Sequence, residues 1–437
     1  MSKDISYWRF KSIRDPIHGF VSLTERETRL INTLWFLRLQ RINQLGHTYL
    51  VYPSATHKRY EHSLGAMHVA DQIAVNIGLN EHQREVVRAA ALLHDLGHGP
   101  FSHVFEEFLQ GMNGEDFTHE YITYQIVKND DEIKSILKGE GVSAEDIYDE
   151  VVNLLDPEKE SYEEPILRDI INSSLDCDKL DYLLRDSYHL GVKYGLFDLQ
   201  RILHTISKTK DGKKLCILEK GKDALENYRL GRHLMHVQVY EHHTRLIAES
   251  MFLVALDMAK ENEDFKKRIK FDINNPKEFL NNFIFLDDNE INRLLKQIGG
   301  KSQNIIEMLE KRKLLKRAVV IDIEHDLRDA SQRKMLVDMK DTKELRNLAD
   351  KIADKVGVDP EYIICRNHPI SIKLYEKYEI YICKKEGHVE DLDDLSPFSS
   401  KVKNVIYFYV FSPESVRDKV AEAFTNVTGI QIIKSLT

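Results

Sequence analysis

The stretch AAALLHDLGHGPFSH, residues 89–103, decides how this chain folds. Its apolar residues run directly into the ionisable pair His94-Asp95, and two glycines and a proline follow. The apolar run predicts a buried helix, and the glycines predict a tight turn after it. An ionisable pair in that position is costly to bury unless it is paired or binds a metal. The simpler alternative is a helix end that reaches solvent, where a histidine is favourable.

Two other positions complete a candidate metal site. His62 lies early in a second apolar helix, RYEHSLGAMHVA, and Asp178 begins DKLDYLLRD in a third. Two imidazoles and two carboxylates from three helices can surround one divalent ion in a helical core. This mixed donor set does not select one metal. We therefore predict one divalent ion (Fe, Mn, Zn, Co, Ni or Mg), with the ligands His62, His94, Asp95 and Asp178.

Three more histidines follow the same turn. His98 and His103 lie within HDLGHGPFSH, and His119 comes sixteen residues after His103. Because the glycines allow a tight turn, we expect these rings to fold back over the metal face. A histidine that titrates near neutrality is a suitable proton donor to a leaving oxygen. For any single one of them, the alternative is a hydrogen-bonded core histidine.

Composition places the chain among ordinary globular proteins. It has 437 residues, 42% hydrophobic and 30% charged, which is enough for two or three domains. The net charge of −9 disfavours a nucleic-acid coat protein, so a nucleic-acid partner is not expected. The polar start and the lack of an 18-residue apolar run predict neither a secretory signal nor a membrane span. The four cysteines form no CxxC pair and no evident disulfide framework, which predicts a reducing, cytoplasmic location.

The pattern along the chain is mainly helical and changes after about residue 316. Apolar residues recur at helical spacing over 25–46, 60–78 and 82–97, and DGKK before LCILE predicts a hairpin turn into a strand. Beyond 316 we predict helices at 343–355 and 413–427 and a polar loop at 386–403. The predicted strands there are 318–323, 361–365, 378–383, 404–411 and 429–433. The fold class is therefore mainly α, with a helical core at 1–316 and an α+β domain at 317–437.

Five segments together resemble a known family. They are RLQRINQLG, THKRYEHSLG, HDLGHGPFSH, DCDKLDYLLRD and RHLMHVQVYEHH. The chain resembles the HD-domain metal phosphohydrolases, and within them the deoxynucleoside triphosphate triphosphohydrolases (the dNTPase/dGTPase family), from about residue 11 to residue 317. The resemblance implies an HD-domain helical core and a metal-dependent enzyme. It also implies that dNTPs are hydrolysed at the α-phosphate to a deoxynucleoside and triphosphate, with additional Mg on the nucleotide phosphates.

The resemblance also implies roles for individual residues. The catalytic group around the α-phosphate, in which His103 is the foremost candidate, comprises His98, His103, His119 and Glu106. The implied phosphate-binding cations are Arg59, Lys179 and Arg232. The residues implied around the sugar are Gln44, Leu45, Tyr182, Asp186, His236 and Tyr240. Among these, Gln44 and Asp186 would hold the 3′-hydroxyl, and Leu45 with Tyr240 would leave no space for a 2′-hydroxyl.

Residue spacing is compatible with some of these roles. Arg232, His236 and Tyr240 are spaced by four and would share one face of an α-helix, as would Tyr182 and Asp186. A triphosphate also requires Arg and Lys donors. The alternatives are an exposed polar stripe and, for each cation, a solvated surface charge.

Regulation by nucleotides is a further implication of the resemblance. The residues that match an activating nucleotide site are Lys11, Arg201, Lys220, His242, Arg312 and Lys316. For Arg312 and Lys316 the alternative is a charged helix face. A guanine-reading site of the vertebrate kind is not expected, because Asn32 and Gln40 stand where it has charges. We predict a homotetramer with nucleotide bound between subunits.

Two other functions remain open from the sequence. One is a broader HD phosphohydrolase or nuclease that acts on nucleotides or DNA ends, against which Gln44 and Asp186 argue by closing off the 3′ end. The other is a nucleotide-sensing protein with a structural metal. His98, His103 and His119 argue against it, because a purely structural site needs only its four ligands.

Overall fold

The computed structural model describes residues 10–141, 144–159, 161–339, 342–370, 380–384, 388–396 and 405–432. The chain divides into two compact units, each built from separate stretches of sequence. Unit 1 comprises Met1–Met235, Lys266–Ile291 and Lys377–Ser400. Unit 2 comprises His236–Phe265, Asn292–Glu376 and Lys401–Thr437. The functional division at residue 316 stays a prediction.

Helices dominate the first 235 residues. The strands there are β1 (Lys11–Asp15), β2 (Gly19–Leu23), β3 (Ile206–Lys208) and β4 (Leu215–Leu218). The helices up to residue 137 are α1 (Glu25–Leu30), α2 (Leu34–Arg38), α3 (Arg59–Asn76), α4 (Glu81–Leu93), α5 (His103–Asn113), α6 (His119–Asn129) and α7 (Asp131–Leu137). Those that follow are α8 (Tyr148–Leu155), α9 (Pro165–Ile171), α10 (Cys177–Leu190), α11 (Leu199–Thr205) and α12 (Lys222–Met235). Short 3₁₀ turns occupy Leu39–Arg41, Gly46–Leu50 and Glu219–Gly221.

The remainder of the chain mixes helices and strands. A π-helical turn, His236–Tyr240, precedes the helices α13 (His243–Ala259), α14 (Glu263–Ile269), α15 (Pro276–Phe283), α16 (Asp288–Ile298), α17 (Gly300–Glu310), α18 (Ile323–Asp326), α19 (Ala330–Asp338), α20 (Thr342–Val356), α21 (Leu392–Leu395) and α22 (Arg417–Thr428). The strands are β5 (Lys316–Asp322), β6 (Ile364–Ile370), β7 (Tyr381–Cys383), β8 (Val389–Asp391) and β9 (Val405–Ser412). Two more 3₁₀ turns are Pro360–Tyr362 and Glu414–Val416.

Three packed helices form the centre of unit 1. α3 is buried on most of its surface and packs against both α4 and α10. Asn80 begins α4 with a capping box to Gln83, and Asp176 caps α10 by accepting from Lys179 N. The mainly α fold with an HD-type helical core is therefore confirmed.

The helical spacing over 25–46 does not produce one continuous helix. Residues 25–46 form two short helices and 3₁₀ turns rather than one element. Thr33 interrupts the pattern, because its side chain accepts a hydrogen bond from Phe36 N and starts a new helix there. The apolar spacing is helical on both sides of this break, so periodicity alone does not reveal it.

Unit 2 contains an antiparallel sheet in the order β5-β9-β6. One face, including Val319, Phe408 and Val410, packs on residues of α20 and α22 such as Ile352 and Phe424. The predicted α+β character of this region is confirmed. No strand follows α22 in the described part of 429–432, and Ile433 lies outside the described residues.

The second sheet, β3-β4-β7-β8, lies in unit 1. β3 and β4 form the predicted hairpin, while β4 pairs with β7 in parallel. The predicted loop at 386–403 is wrong for Val389–Leu395, which forms β8 and α21 with Asp391 as the cap of α21. Cys216 and Cys383 form a disulfide across the parallel pair. The expectation of no disulfide is therefore wrong, because a pairing across 167 residues leaves no local sequence signal.

Among the described residues, no helix combines the length and apolar character needed to cross a bilayer.

Gly65 sets how closely α3 and α10 approach. A Cβ at this position would overlap the side chains of Asp181 and Arg185 on α10. We predict that Gly65→Ala lowers the free energy of unfolding by about 1–3 kcal/mol through overpacking. The matched control is Gly111→Ala in α5, where a Cβ meets nothing within 4 Å. That change should stabilise the protein by about 0.5–1 kcal/mol. Urea unfolding of both variants checks the pair, and equal stabilities would contradict the close approach.

Candidate metal centre

Three helices of unit 1 deliver the four predicted ligands to one place. His62 lies in the first turn of α3, and Asp178 lies in the first turn of α10. α4 ends at Leu93, so His94 is its C-cap and Asp95 begins the turn beyond it. The helix end therefore projects both residues of the pair toward α3 and α10 instead of toward solvent.

The distances show that the four side chains converge. His62 Nε2 lies 2.9 Å from Asp178 Oδ1 and 3.7 Å from Asp95 Oδ2. His94 Nε2 lies 3.2 Å from Asp95 Oδ1 and 3.6 Å from Asp178 Oδ1. Separations of this size fit donors that share one ion, since each would need to lie about 2 Å from it.

The donor set fits a divalent cation. His62 Nε2 and His94 Nε2 are buried, and both face the carboxylates of Asp95 and Asp178. Burial lowers the pKa of His62, but the carboxylates of Asp178, Asp181 and Asp95 outweigh it and raise the pKa to about 10. The local field thus favours positive charge at the point where the two Nε2 atoms meet the two carboxylates.

A buried carboxylate stands behind His62. Asp181 Oδ2 accepts a hydrogen bond from His62 Nδ1 at 2.8 Å, while its Oδ1 lies 2.6 Å from His18 Nε2. Arg185 donates to both oxygens of Asp181 and, through Nη1, to Asp15. This arrangement fixes the tautomer and ring plane of His62, with Nε2 directed at the candidate metal position.

The predicted cations are engaged differently. Arg59 donates to Asp95 Oδ2 at 2.7 Å and to Ser102 Oγ at 2.9 Å, so it borders the metal centre directly. Lys179 instead pairs with Asp176, the cap of its own helix, at 2.6 Å. Arg232 is buried near Tyr182, and its charge partly offsets the increase in the pKa of Tyr182 that burial causes.

A second histidine group, formed by His98, His103, Glu106 and His119, lies beside the four candidate metal ligands. Glu106 connects it, because its carboxylate lies 3.1 Å from His103 Nδ1 and 3.0 Å from His119 Nδ1. His98 stacks on His119 at 3.8 Å between ring centroids, and its Nε2 lies 3.3 Å from Asp95 Oδ1. His103 is 63% exposed, so it is the member of the group open to a substrate.

Electrostatics divides this group into neutral and charged rings. Burial, Arg59 and His119 all lower the pKa of His98 well below its ordinary value. Burial also lowers the pKa of His119, but Glu106 and Glu120 outweigh it and raise the pKa to about 9. At neutral pH His98 is therefore neutral, whereas His119 is protonated. Ligand-type atoms of His98, His103, Glu106 and His119 lie within 4.8 Å of one another, so this group could also hold a cation.

The predicted sugar residues fall into two sets. Gln44, Tyr182 and Asp186 lie in unit 1, where Gln44 Oε1 is buried without a hydrogen-bond partner in the described residues. Asp186 Oδ1 lies 2.7 Å from His57 Nε2. Leu45, also in unit 1, is partly buried. His236 and Tyr240 belong to unit 2, where their rings meet edge to face at 5.0 Å.

The expected shared face of Arg232, His236 and Tyr240 stays a prediction. α12 ends at Met235, and His236–Tyr240 is a π-helical turn. Arg232 thus lies in a regular α-helix, whereas His236 and Tyr240 lie in the π-helical turn that follows it.

The residues expected at the activating site lie in both units. Lys11 is exposed on β1, and Arg201 Nη2 donates to the carbonyl of Lys220 at 2.7 Å, all in unit 1. In unit 2, Arg312 and Lys316 line a cavity of about 210 Å³. Its other lining residues are His243, Thr244, Ile247, Leu314, Leu315, Arg317 and Arg417. His242, the N-cap of α13, stacks on His243 at 4.4 Å.

Sequence reasoning missed the groups that support the site. His18, His57 and Arg185 make no motif with the ligands, and they reach the site only through the fold. Asp181 left one usable signal, since it lies three residues after Asp178 on the same face of α10.

Comparison with known proteins agrees with this helical metal centre. The HD domain model matches residues 59–186, and the HD associated region model matches residues 197–437. An uncharacterized protein of Methanocaldococcus jannaschii is 32% identical over 98% of this chain and 84% of its own length. The crystal structure of a phosphohydrolase from Bacteroides thetaiotaomicron superposes with a TM-score of 0.74 at 26% identity, covering 92% of this chain and 99% of the other.

Named relatives also include nucleotide hydrolases. The deoxynucleoside triphosphate triphosphohydrolase SAMHD1 homolog of Dictyostelium discoideum is 33% identical over 70% of this chain and 59% of its own length. Human SAMHD1 is 32% identical over 55% of this chain and 43% of its own length. The chain thus spans about half the length of these relatives. The chain belongs to the HD-domain phosphohydrolase family, whose members bind divalent metals.

Removing a ligand should remove the metal. We predict that His94→Ala or Asp95→Ala lowers the metal content from about one ion per chain to below about 0.1, because the remaining donors are too few. His103→Ala should retain the metal, since His103 lies outside the four ligands. Elemental analysis of the purified variants checks both, and full metal content in His94→Ala would contradict the site.

Proposed function

We propose that the protein hydrolyses deoxynucleoside triphosphates at the α-phosphate, releasing a deoxynucleoside and inorganic triphosphate. The observation that carries this proposal is the second histidine group beside the metal centre, since a structural ion would need only its ligands. Relatives named as deoxynucleoside triphosphate triphosphohydrolases support the substrate class.

The chemistry divides between the two groups. When bound, a divalent cation supplies Lewis-acid polarisation of the phosphoryl oxygens. Arg59, held between Asp95 and Ser102, adds a fixed positive charge beside it. A water attacks the α-phosphorus, and the bond from phosphorus to the 5′ oxygen breaks.

His103 is the group we assign to the proton transfer. Its Nδ1 faces Glu106, so Nε2 of the protonated ring can donate to the departing 5′ oxygen. Glu106 holds a negative charge at the ring, because burial raises its pKa but His119 and His103 outweigh this and lower it. The carboxylate therefore orients His103.

We assign recognition of a free 3′-hydroxyl to Gln44 and Asp186. Gln44 Oε1 is a buried acceptor that a sugar hydroxyl would satisfy. Asp186, oriented by His57, is the second group we assign there. This geometry favours mononucleotides over the alternative nuclease function, which would need space beyond the 3′ oxygen. Leu45 and Tyr240 remain the residues proposed to exclude a 2′-hydroxyl.

Nucleotide regulation is part of the proposal. The unit 2 cavity gathers Arg312, Lys316, Arg317 and Arg417, a set suited to phosphates. Burial, and then the charges of Arg317 and His242, lower the pKa of His243 to about 4, so the positive charge at this cavity comes from its Arg and Lys side chains. We assign an activating nucleotide to it, with a homotetramer as the assembly.

A cytoplasmic location follows only from the substrate class. dNTPs are consumed inside the cell, and we retain that location on this ground. The Cys216–Cys383 disulfide gives it no support, because such bonds are uncommon in reducing compartments.

Product analysis decides the reaction. We predict that the metal-loaded protein converts each dNTP into a deoxynucleoside and triphosphate, and that His103→Ala lowers kcat by about 10²–10⁴-fold while keeping its metal. Chromatography of the products with phosphate speciation checks this. Release of monophosphate and pyrophosphate would reject the assigned bond cleavage, and unchanged kcat in His103→Ala would reject the assigned proton donor.

Nucleotide should also govern assembly. We predict that light scattering finds a tetramer in the presence of dNTPs, because activating nucleotide would bridge subunits. Arg312→Glu should reduce the dNTP-dependent formation of the tetramer, because it adds a negative charge to the unit 2 cavity. A monomer with and without dNTPs would contradict the assembly.

A further inference from the structure

The carboxylate of Asp288 in unit 1 connects two backbone segments that are distant in sequence. Asp288, the first residue of α16, is 6% exposed. Its Oδ2 accepts a hydrogen bond from Asn43 N at 2.9 Å, and its Oδ1 accepts one from Phe101 N at 2.7 Å. Each oxygen thus satisfies a backbone donor from a different segment.

The first segment presents His103. Phe101 and Ser102 both have positive φ, 54° and 59°, a conformation that residues other than glycine rarely adopt. His103 follows directly and begins α5. A turn of this kind persists only where its surroundings determine it. Asp288 holds the turn at Phe101 N, and Arg59 holds it at Ser102 Oγ.

The second segment carries Gln44. Asn43 forms a β-bridge with Lys58, and Gln44 N donates to the carbonyl of His57 at 3.0 Å. The carbonyl of Asn43 accepts from Ser102 Oγ at 3.2 Å, which ties this segment to the turn before His103. The bond from Asn43 N to Asp288 therefore fixes the backbone immediately before the proposed sugar-binding amide.

Helix capping does not account for Asp288. The neighbouring Asp287 caps α16, because its Oδ1 accepts hydrogen bonds from the backbone nitrogens of Asn289 and Glu290. Asp287 also pairs with Arg41 on the surface side at 2.5 Å. Asp288 points the other way, into the two segments.

We propose that Asp288 is a positioning residue that couples the turn bearing His103 to the segment bearing Gln44. Its hydrogen bonds go to Asn43 N and Phe101 N and not to the candidate metal ligands or the second histidine group. It also lies outside residues 59–186, which the HD domain model matches. The proposal rests on the proposed function for the roles of His103 and Gln44. The coupling itself rests only on the two backbone hydrogen bonds.

The test is Asp288→Asn in the full-length, metal-loaded protein, with Asp287→Asn as the matched control. An amide offers one acceptor oxygen, so one of the two backbone bonds must be lost. We expect kcat with dNTP to fall about 10- to 100-fold, as a displaced catalytic group would cause. We also expect weaker discrimination between dNTP and its 3′-deoxy analogue, with metal content unchanged. Asp287→Asn should leave kcat, KM and this discrimination within about twofold, since it changes the pairing with Arg41 but leaves the bonds to Asn43 N and Phe101 N intact.

Hydrogen exchange gives a readout that needs no turnover. Peptides that span Asn43 and Phe101 should exchange faster in Asp288→Asn and at the wild-type rate in Asp287→Asn. Unchanged exchange, or an equal loss of kcat in both variants, would overturn the proposal. If the wild-type protein released no triphosphate, the proposed function would fail, and exchange alone would decide the coupling. Asp288→Glu, which keeps both oxygens but moves them by one methylene, replaces Asp288→Asn if the latter does not fold.

Discussion

The hydrogen bond between Asp181 and His62 is the constraint on which the site depends. Asp181 is fully buried, so its charge must be compensated, and His18 with Arg185 provides that compensation. The same bond leaves His62 Nε2 free to face the carboxylates of the metal centre. The contact is possible only because Gly65 has no side chain, which lets α10 approach α3 closely. The position of Asp181 therefore depends on the glycine at position 65, and the orientation of His62 depends on Asp181.

Ligand residues and supporting residues differ in how far the sequence could predict them. His94-Asp95 stands out because polar residues after a buried helix need a local explanation, and helix ends are readable from caps and glycines. Asp288 acts through Asn43 and Phe101, 245 and 187 residues away, so no local pattern marks it, and Asp181 is marked only by its spacing from Asp178. The main helices could be predicted for the same reason as the ligands, namely that periodicity is a local property.

The failures also have physical causes. Thr33 restarts a helix through one side-chain hydrogen bond, and Asp391 caps a short helix within the predicted loop at 386–403. In each case a short-range interaction competes with the pattern and prevails, and its strength cannot be judged from residue spacing alone.

Asp95 lies between the candidate metal ligands and the second histidine group and contacts both. Its Oδ2 faces Arg59 and its Oδ1 lies near both His94 and His98, so it belongs to the metal centre and to the edge of the second group. Burial, Arg59 and His119 lower the pKa of His98, whereas Glu106 and Glu120 outweigh burial and raise the pKa of His119, so the protonated ring of this stacked pair is the one beside Glu106. Under the proposed function, the positive charge of Arg59 at one oxygen of Asp95 is thus separated from the histidine group at the other oxygen, in which His103 would supply the proton. A site with that separation can polarise a phosphate and protonate its leaving group in the same encounter.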